Sequence, residues 1–269
     1  MRKQLILAIV LGCSFPLGIA HAEPVADVMK VVQHCEFKDP GEDQRSILSI
    51  TLIDKDGNKR ENVYHRLWKN YHGEDGILDK MVLFTEFPPD AKGTGFMRWG
   101  YKASLDKMAD QWLYLPHLRK VRRVSVRDPG DSFLGSDLTY GDIEDRSIDD
   151  DGYQLLNHDE KPGGHLYQVE ITPKEEDALY SKKISWYAKP VSGWEDCVRI
   201  KTDYYDRQGN LLKKQNLTWQ KADDAWVWDR VTVENVQTNH KSIFTVTDVR
   251  VNVGLDADRF TERALKKGL

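Results

Sequence analysis

Short stretches of alternating side-chain character, separated by turn residues, recur along most of this chain and constrain its fold more than any other feature. In residues 45–53, Leu48, Ile50 and Leu52 alternate with polar neighbours, as in a strand with one buried face. About a dozen such stretches at hairpin spacing predict a mainly β protein with an antiparallel meander, because a parallel sheet would need crossover helices for which there is little room. The stretches are 45–53, 63–68, 81–87, 94–101, 111–115, 121–126, 166–172, 183–187, 198–205, 211–220, 226–236 and 243–252.

One segment near the start has a helical period instead. Between residues 25 and 33, apolar side chains recur at spacings of three and four, and Pro24 stands where a missing N–H costs nothing. We predict a short amphipathic helix there. Its apolar face would consist of Val25, Val28, Met29 and Val32.

Large side chains occupy both faces of some predicted strands, as in residues 96–101 and 226–228. Eight tryptophans and eleven tyrosines supply more aromatic bulk than a thin sheet with one wet face needs. Two arrangements explain this surplus: the sheet packs against a covering helix, or it curls around a cavity. The sequence leaves both open.

The first 22 residues have the layout of a secretory signal peptide. Arg2 and Lys3 supply positive charge, residues 5–11 form an apolar run, and Ala20-His21-Ala22 is a small-x-small cleavage site. The apolar run is far shorter than the roughly 20 residues of a membrane-spanning helix. We therefore predict cleavage and export to a bacterial periplasm. In the alternative, Cys13 is lipidated, because it follows a Val-Leu-Gly sequence that resembles a loose lipobox.

Cleavage leaves residues 23–269, which we expect to form one domain, since β domains often reach this size undivided. It also leaves two cysteines, Cys35 and Cys197. In an oxidising compartment these favour a disulfide, which would restrain the unfolded chain by about 4–5 kcal/mol. The alternative is two buried free thiols.

The charge and the motifs argue against several classes of protein. Removing Arg2 and Lys3, with no acidic residue, takes the net charge from −4 to −6, so nucleic acid is not an expected partner. Ser132 and Ser136 lack a Gly-x-Ser-x-Gly elbow, and the eight histidines show no His-x-x-x-His or His-Glu-x-x-His spacing. We expect no catalytic constellation, no cofactor and no metal site.

A basic cluster precedes a glycine-containing loop and an acidic stretch. It could meet an anionic partner such as a lipid head group or an acidic protein surface. Alternatively, it is the solvated face of a strand, paired with the acids just downstream. The basic residues are Arg119, Lys120, Arg122, Arg123 and Arg127, and the acids are Asp142, Glu144 and Asp145.

The segment that contains this cluster is similar to a known family. Its order is Trp112-x-Tyr114-x-Pro116, Arg119, Arg122-Arg123, then Ser132-Phe133-x-Gly135-Ser136-Asp137-x-x-Tyr140-x-Asp142. It resembles the signature of LolA-like outer-membrane lipoprotein-sorting proteins, in the branch encountered beside RND/MMPL-type membrane exporters. A weaker likeness lies in residues 252–265, where Gly254-Leu255 precedes Asp258-x-Phe260.

The resemblance implies a half-open antiparallel β-barrel, closed by a few helices, whose concave apolar face holds acyl chains. Arg119, Arg122 and Arg123 would contact a head group or a partner. The motif loop would be structural, with Asp137 accepting backbone hydrogen bonds. The residues expected to line or gate the groove are Trp99, Tyr101, Trp112, Tyr114 and Phe133, and those expected to fix the loop are Gly135, Ser136, Asp137 and Tyr140.

The function implied is that of a periplasmic carrier for lipoprotein acyl chains or another hydrophobic lipid, acting with an RND/MMPL-type exporter and touching the membrane surface transiently. A dry groove suffices, since burying an acyl chain gains roughly 0.8 kcal/mol per CH₂. One alternative is a periplasmic sensor or scaffold that binds a protein partner through the same shell without transporting lipid. Another is an unrecognised hydrolase.

Overall fold

A computed structural model describes residues 27–124 and 128–269, and one long antiparallel sheet of 13 strands dominates it. The predicted signal peptide and Cys13 lie outside the described residues, as do Pro24, Val25 and Arg127. The strands are β1 (Asp43–Ile53), β2 (Lys59–Asn70), β3 (Ile77–Phe87), β4 (Gly95–Tyr101), β5 (Asp110–Leu115), β6 (Lys120–Val124), β7 (Asp151–Lys161), β8 (Gly164–Pro173), β9 (Lys182–Pro190), β10 (Val198–Tyr205), β11 (Leu211–Ala222), β12 (Ala225–Asn235) and β13 (His240–Val251). The α-helices are α1 (Val28–Cys35) and α2 (Glu262–Lys267), and 3₁₀ turns lie at Glu74–Gly76, Pro89–Ala91, Ala103–Leu105, Pro116–Leu118, Phe133–Gly135, Tyr140–Asp142, Ile148–Asp150 and Ala257–Phe260.

The sheet consists of two meanders that meet in its centre. Its strand order is β6-β5-β4-β3-β2-β1-β13-β12-β11-β10-β9-β8-β7, so each half runs through neighbouring strands. The halves join where β1 pairs with β13 in a ladder from Gln44–Val251 to Ile53–Lys241. The sheet does not close, because β6 and β7 are its two edges. The prediction of a mainly β, half-open antiparallel fold with a few helices is confirmed.

One strand, β7, escaped the sequence analysis. The pairing of β7 with β8 shifts register between Leu155 and Asn157, and the side chain of Leu156 between them is 42% exposed. An extra residue at this point breaks the alternation on which strand prediction depends. As an edge strand, β7 also carries a largely polar sequence.

Helix α1 begins later than predicted. Asp27 caps it, because one of its carboxylate oxygens accepts a hydrogen bond from the backbone N–H of Met29 (3.0 Å). The helix then continues to Cys35 and buries Val31, Val32 and Cys35. The buried face is therefore rotated from the predicted one, since the contacts of Val31 and Cys35 with the sheet decide the orientation.

The sheet curves towards one face, which we call the inner face. Phe96 of β4 and Leu217 of β11 belong to one apolar cluster on this face, although five strands separate β4 from β11. Residues 128–150, which we call the crossing segment, connect edge strand β6 to edge strand β7. This segment adds Phe133 and Leu138 to the same cluster, so it lies across the inner face.

Helix α1 covers a second part of the inner face, beside β8–β10. Val31 and Val32 pack there with Tyr167 and Tyr187. A disulfide joins Cys35 at the end of the helix to Cys197, with a Cα–Cα distance of 4.8 Å. The predicted pairing is confirmed, and it ties the N-terminal helix to the loop before β10.

The outer face of the sheet is covered by the C-terminal segment. Phe260 and Leu265 are fully buried against β2–β5, in a cluster with Met97 and Trp112. Gly95 permits the approach, because a Cβ there would lie only 2.7 Å from a methyl carbon of Leu265. Neither helix in the described part of the chain has the length and apolar character needed to cross a membrane.

The aromatic surplus thus has two explanations that both apply. A helix packs against each face of the sheet, and the curved sheet also leaves a cavity on its inner face.

Candidate functional site

A cavity of about 330 Å³ lies between the inner face of the sheet and the crossing segment. Most of its wall is apolar. Strands from both halves of the sheet contribute to it, so it straddles the central β1–β13 pairing. Its apolar lining consists of Pro40, Leu48, Trp68, Met81, Phe133, Leu138, Ile143, Trp219, Trp226, Val227, Trp228, Phe244 and Val246.

Four tryptophans line this cavity and contribute its largest apolar side chains. Trp68 comes from β2, Trp219 from β11, and Trp226 and Trp228 from β12. The register between β11 and β12 shifts after Thr218, which sets Trp219 opposite Trp228. The indole N–H of Trp219 donates to the backbone carbonyl of Arg199 (2.7 Å).

One end of the cavity is polar and charged. Arg98 bridges two carboxylates there, with Nη1 2.9 Å from Asp79 Oδ1 and Nη2 2.7 Å from Glu144 Oε2. Beside this pair, Nη1 of Arg66 donates to Oε1 of Gln44 (2.6 Å). Burial lowers the pKa of Arg66 to about 10, although the Asp79 carboxylate opposes this effect. Burial also raises the pKa of Glu144, and Arg98 limits that rise.

The link between α1 and β1 closes another side. Glu36 Oε1 lies 2.8 Å from Arg199 Nη1, and its second oxygen accepts from the hydroxyl of Tyr187 (2.9 Å). Lys38 donates to the carbonyl oxygens of His34 (3.1 Å) and Glu195 (2.8 Å). Burial lowers the pKa of Lys38.

The aromatic residues proposed from the sequence divide between the two faces. Phe133 lines the cavity and packs edge-to-face against Phe96, with ring centroids 6.1 Å apart. Trp99, Trp112 and Tyr114 lie instead on the outer face, in the cluster with the C-terminal segment. The indole N–H of Trp99 donates to the carbonyl of Phe260 (3.2 Å).

Tyr101 lies two residues beyond Trp99 on β4, and its hydroxyl donates to Oδ2 of Asp110 (2.7 Å). It is buried and does not border the cavity. Contact of lipid with Trp99, Tyr101, Trp112 or Tyr114 therefore stays a prediction for a surface other than this cavity.

The motif loop is held by its own hydrogen bonds and by β13. Ser136 Oγ donates to the carbonyl of Phe133 (2.7 Å), and Gly135 has a φ of 75°, which favours glycine. The Asp137 carboxylate accepts from Ser242 Oγ (2.6 Å) and lies 2.8 Å from His240 Nδ1. The partners of the Asp137 carboxylate in the described residues are thus side chains of β13, and its role in fixing the loop stays a prediction.

Tyr140 also packs inside the crossing segment. Its ring meets that of Phe133 edge-to-face, with centroids 5.7 Å apart, and its backbone N–H donates to the carbonyl of Asp131 (3.0 Å).

The last residue of the sequence motif, Asp142, anchors the crossing segment to the sheet. It forms a buried ion pair with Lys213 of β11, and the two side chains are only 2% and 3% exposed. Asp142 also accepts from the Tyr180 hydroxyl (2.9 Å) and from the backbone N–H of Thr139 (2.8 Å). Lys213 donates in addition to the carbonyl of Asp137 (2.9 Å).

Four residues of the basic cluster lie in the described part of the chain, at the β6 edge, and their side chains are exposed: Arg119, Lys120, Arg122 and Arg123. Arg122 faces Leu113, and Arg123 faces Trp112, so the edge strand turns neighbouring arginines to opposite faces. Arg123 forms an ion pair with Asp110, and Arg119 occupies a turn with a φ of 52°. The acids downstream do not pair with these arginines in the described residues. Asp142 and Glu144 bind Lys213 and Arg98, and Asp145 accepts from the backbone of Ala103.

A second, polar cavity of about 230 Å³ lies between the crossing segment, α1 and β8–β10. Arg146 and Asp151 form an ion pair (2.8 Å) in its wall. Lys183 also borders it, and its ammonium makes no hydrogen bond or ion pair within the described ranges. Burial lowers the pKa of Lys183.

Three residues on the β7–β8 hairpin could hold a metal ion. Nε2 of His158 lies 3.1 Å from Nδ1 of His165, and the Glu160 carboxylate lies 4.0 Å from the same nitrogen. Two imidazoles and a carboxylate form a donor set that suits Zn²⁺. Sequence spacing missed this group, because it is assembled across paired strands rather than along a helix.

The sequence analysis also missed Arg66 and the tryptophans of β2, β11 and β12 as site residues. Tyr64, Arg66 and Trp68 alternate along β2, which was the one available sign that they share a face. The sequence does not indicate which of the two faces is concave.

Comparison with solved structures places the chain in a known fold. A putative outer membrane lipoprotein-sorting protein domain from Vibrio parahaemolyticus is 24% identical, with a TM-score of 0.73, covering 88% of this chain and 97% of that one. A DUF1329 family protein from Desulfovibrio piger is 26% identical, also with a TM-score of 0.73, over 88% and 95% of the two chains. A LolA superfamily protein from Nitrosomonas europaea is 18% identical, with a TM-score of 0.62, over 89% and 100%.

No curated protein sequence matches this chain. A family model described only as an uncharacterized protein matches residues 78–267, from β3 to α2, which is well over half of the chain. The protein therefore belongs to this uncharacterized family, and its fold is the LolA-like fold of outer-membrane lipoprotein-sorting domains.

Proposed function

We propose that the protein is a periplasmic carrier for acyl chains of lipoproteins or for another hydrophobic lipid, and that it acts with a membrane exporter of the RND or MMPL type. The observation that carries this proposal is the tryptophan-lined cavity on the inner face, under the crossing segment. Each CH₂ of an acyl chain gains roughly 0.8 kcal/mol on leaving water for such a site. The likeness to a lipoprotein-sorting domain supports the same cargo class.

Two features support the proposed location. The first 22 residues have the layout of a cleavable signal peptide. The disulfide between Cys35 and Cys197 belongs in an oxidising compartment such as the periplasm. The proposal of an exporter partner rests on the family resemblance of the segment from Trp112 to Asp142. The exposed arginines of β6 offer a surface for binding such a partner.

The carrier proposal is tested by looking for cargo in native protein. Organic extraction and native mass spectrometry of protein purified without detergent should find a bound lipid. Bromine-labelled fatty acid should quench tryptophan fluorescence, because four of the eight tryptophans line the cavity.

A cavity-filling variant makes the test specific. Val246 borders the cavity and is 5% exposed, so Val246→Phe should reduce uptake by roughly ten-fold or more, while the fold survives a cost of about 1–3 kcal/mol. Val191, which is 79% exposed, provides the matched control Val191→Phe. If wild-type protein holds no lipid and takes up no fatty acid, the carrier proposal is wrong. That result would favour the alternative of a sensor or scaffold that binds a protein partner.

A further inference from the structure

Arg66 is one of the charged residues that border the tryptophan-lined cavity, and several of its N–H donors have no acceptor in the described protein. A guanidinium carries five N–H donors. Within residues 27–124 and 128–269, Arg66 makes one side-chain hydrogen bond, from Nη1 to Gln44 Oε1 (2.6 Å), and has no carboxylate within 4.0 Å. Its remaining donors are not among the fully buried polar atoms without a partner, and the side chain borders the cavity.

The nearby carboxylates are engaged elsewhere. Asp79 and Glu144 both bind Arg98, at 2.9 Å and 2.7 Å. Glu36, at the other side of the cavity, binds Arg199 at 2.8 Å. No carboxylate in the described wall therefore forms an ion pair with Arg66, although Asp79 is near enough to favour its charged form.

The charges that border the cavity favour an anion. With the ion-pair partners of the lining residues included, four cations outnumber three carboxylates. The cations are Lys38, Arg66, Arg98 and Arg199, and the carboxylates are Glu36, Asp79 and Glu144. Arg66 keeps its charge at neutral pH, since its pKa stays near 10 despite burial. A largely buried charge without an ion-pair partner is costly, and a ligand with the opposite charge reduces that cost.

We propose that this cavity selects a single acyl chain that ends in an anionic head group, and that Arg66 binds this head group while the tryptophans hold the chain. The inference rests on the lipid-carrier function proposed above and specifies its cargo. A carboxylate or phosphate suits the planar guanidinium, which binds two oxygens at once.

The size of the cavity supports one chain. Its volume of about 330 Å³ is at the lower end of the roughly 300–1,000 Å³ range of small-molecule pockets. The apolar lining continues from Trp68, two residues from Arg66 on the same face of β2, to Trp226 and Trp228 on β12. A chain that starts at Arg66 therefore finds an apolar wall on both halves of the sheet.

The test compares ligands that differ only in their head groups. Lauric acid, lauryl alcohol, methyl laurate and laurylamine, each below its micelle concentration, would compete with a bromine-labelled fatty acid that quenches cavity tryptophans. The acid should bind roughly 10- to 100-fold more tightly than the alcohol, the range for hydrogen bonds to a charged group. Laurylamine should bind most weakly of the four.

Variants of Arg66 assign the effect to this residue. Arg66→Gln should weaken binding of lauric acid by roughly 10-fold or more and leave binding of lauryl alcohol within about three-fold. Arg66→Lys should restore part of the loss, because it keeps the charge but not the planar fork. Arg45→Gln removes an exposed cation from neighbouring β1. It should change the affinity for neither lauric acid nor lauryl alcohol.

The outcomes separate the two proposals. If the alcohol or the methyl ester binds wild-type protein as tightly as the acid, the anionic selectivity is refuted while the carrier function stands. If none of the four ligands binds, both proposals fail. Should Arg66→Gln not fold, the comparison of the four ligands on wild-type protein still decides the question.

Discussion

A buried ion pair between Asp142 and Lys213 anchors the crossing segment to the sheet. Both side chains are almost fully buried, so removing one partner leaves an uncompensated charge in the interior. We expect Asp142→Asn or Lys213→Met to lower the free energy of unfolding by about 3–5 kcal/mol. Equilibrium unfolding in urea, followed by circular dichroism, measures this loss.

A double variant and a surface pair control this prediction. Asp142→Asn combined with Lys213→Met should cost less than the sum of the single changes, because neither charge is then left alone. Lys241→Met breaks an exposed pair with Glu234, whose side chains are 40% and 51% exposed, and should cost at most about 1 kcal/mol. Similar costs for the buried and the exposed pair would contradict this account.

At the scale of single elements, helix α1 is held by the disulfide and by a small apolar contact. Cys35 and Cys197 are 162 residues apart in sequence, and a bridge of that span restrains the unfolded chain by about 4–5 kcal/mol in the entropic model. Replacing both cysteines by alanine should lower stability by up to that amount and speed amide hydrogen exchange in Val28–Cys35. Reductant should reproduce the effect in wild-type protein and do nothing to the variant. Unchanged exchange in α1 would show that packing alone holds it.

The edge strand β6 carries arginines that the fold scarcely uses. Arg123 pairs with Asp110, but its side chain is 64% exposed, so the pair contributes at most about 1 kcal/mol. Replacing Arg119, Arg122 and Arg123 by alanine should therefore leave stability within about 1 kcal/mol of wild type. The variant should bind vesicles of anionic lipid more weakly than wild-type protein does. The difference in binding between the two proteins should become smaller as salt is added.

Flotation of protein with vesicles checks the arginine prediction, and vesicles of neutral lipid serve as the control. The triple change Lys55→Ala, Lys59→Ala and Arg60→Ala removes as much exposed charge from the β1–β2 hairpin. If it reduces vesicle binding equally, the effect belongs to overall charge and not to the β6 edge.

The limits of the sequence analysis also appear at this scale. Alternation located every strand except β7, where the irregular pairing around Leu156 removes the period. It could not decide which face of β4 and β5 is concave, since inward and outward positions have the same period. Trp112 and Tyr114, which by the family resemblance would line or gate the groove, pack in the cluster with the C-terminal segment.

The cavity itself could not be assembled from sequence. Trp68 and Trp228 are far apart in the chain and belong to different halves of the sheet, and they line one cavity because β1 pairs with β13. The large number of aromatic residues indicated that side chains on both faces of the sheet are buried, but it did not indicate which part of the sheet encloses a cavity. The resemblance in residues 110–142 implied the correct fold, and two of its matched residues, Ser136 and Asp142, make contacts within the protein.

At the scale of the whole molecule, the central pairing of β1 with β13 makes the two meanders depend on each other. Leu48 and Ile50 of β1 share a cluster with Val231 of β12 and Phe244 of β13, so neither half buries its inner face alone. We therefore expect residues 27–269 to unfold in one cooperative transition. Far-ultraviolet circular dichroism and tryptophan fluorescence should give coincident urea curves.

Ile50 at this junction provides the decisive variant. It is fully buried and faces Phe244, so Ile50→Ala should cost about 2–5 kcal/mol. Because the halves are coupled, hydrogen exchange should accelerate equally in peptides from β3–β4 and from β8–β9, on opposite sides of the junction. Leu156→Ala, at the exposed edge of β7, should change hydrogen exchange in neither set of peptides. Faster exchange confined to one half, or two separate urea transitions, would mean that the chain contains two independent units and that the cavity lies between them.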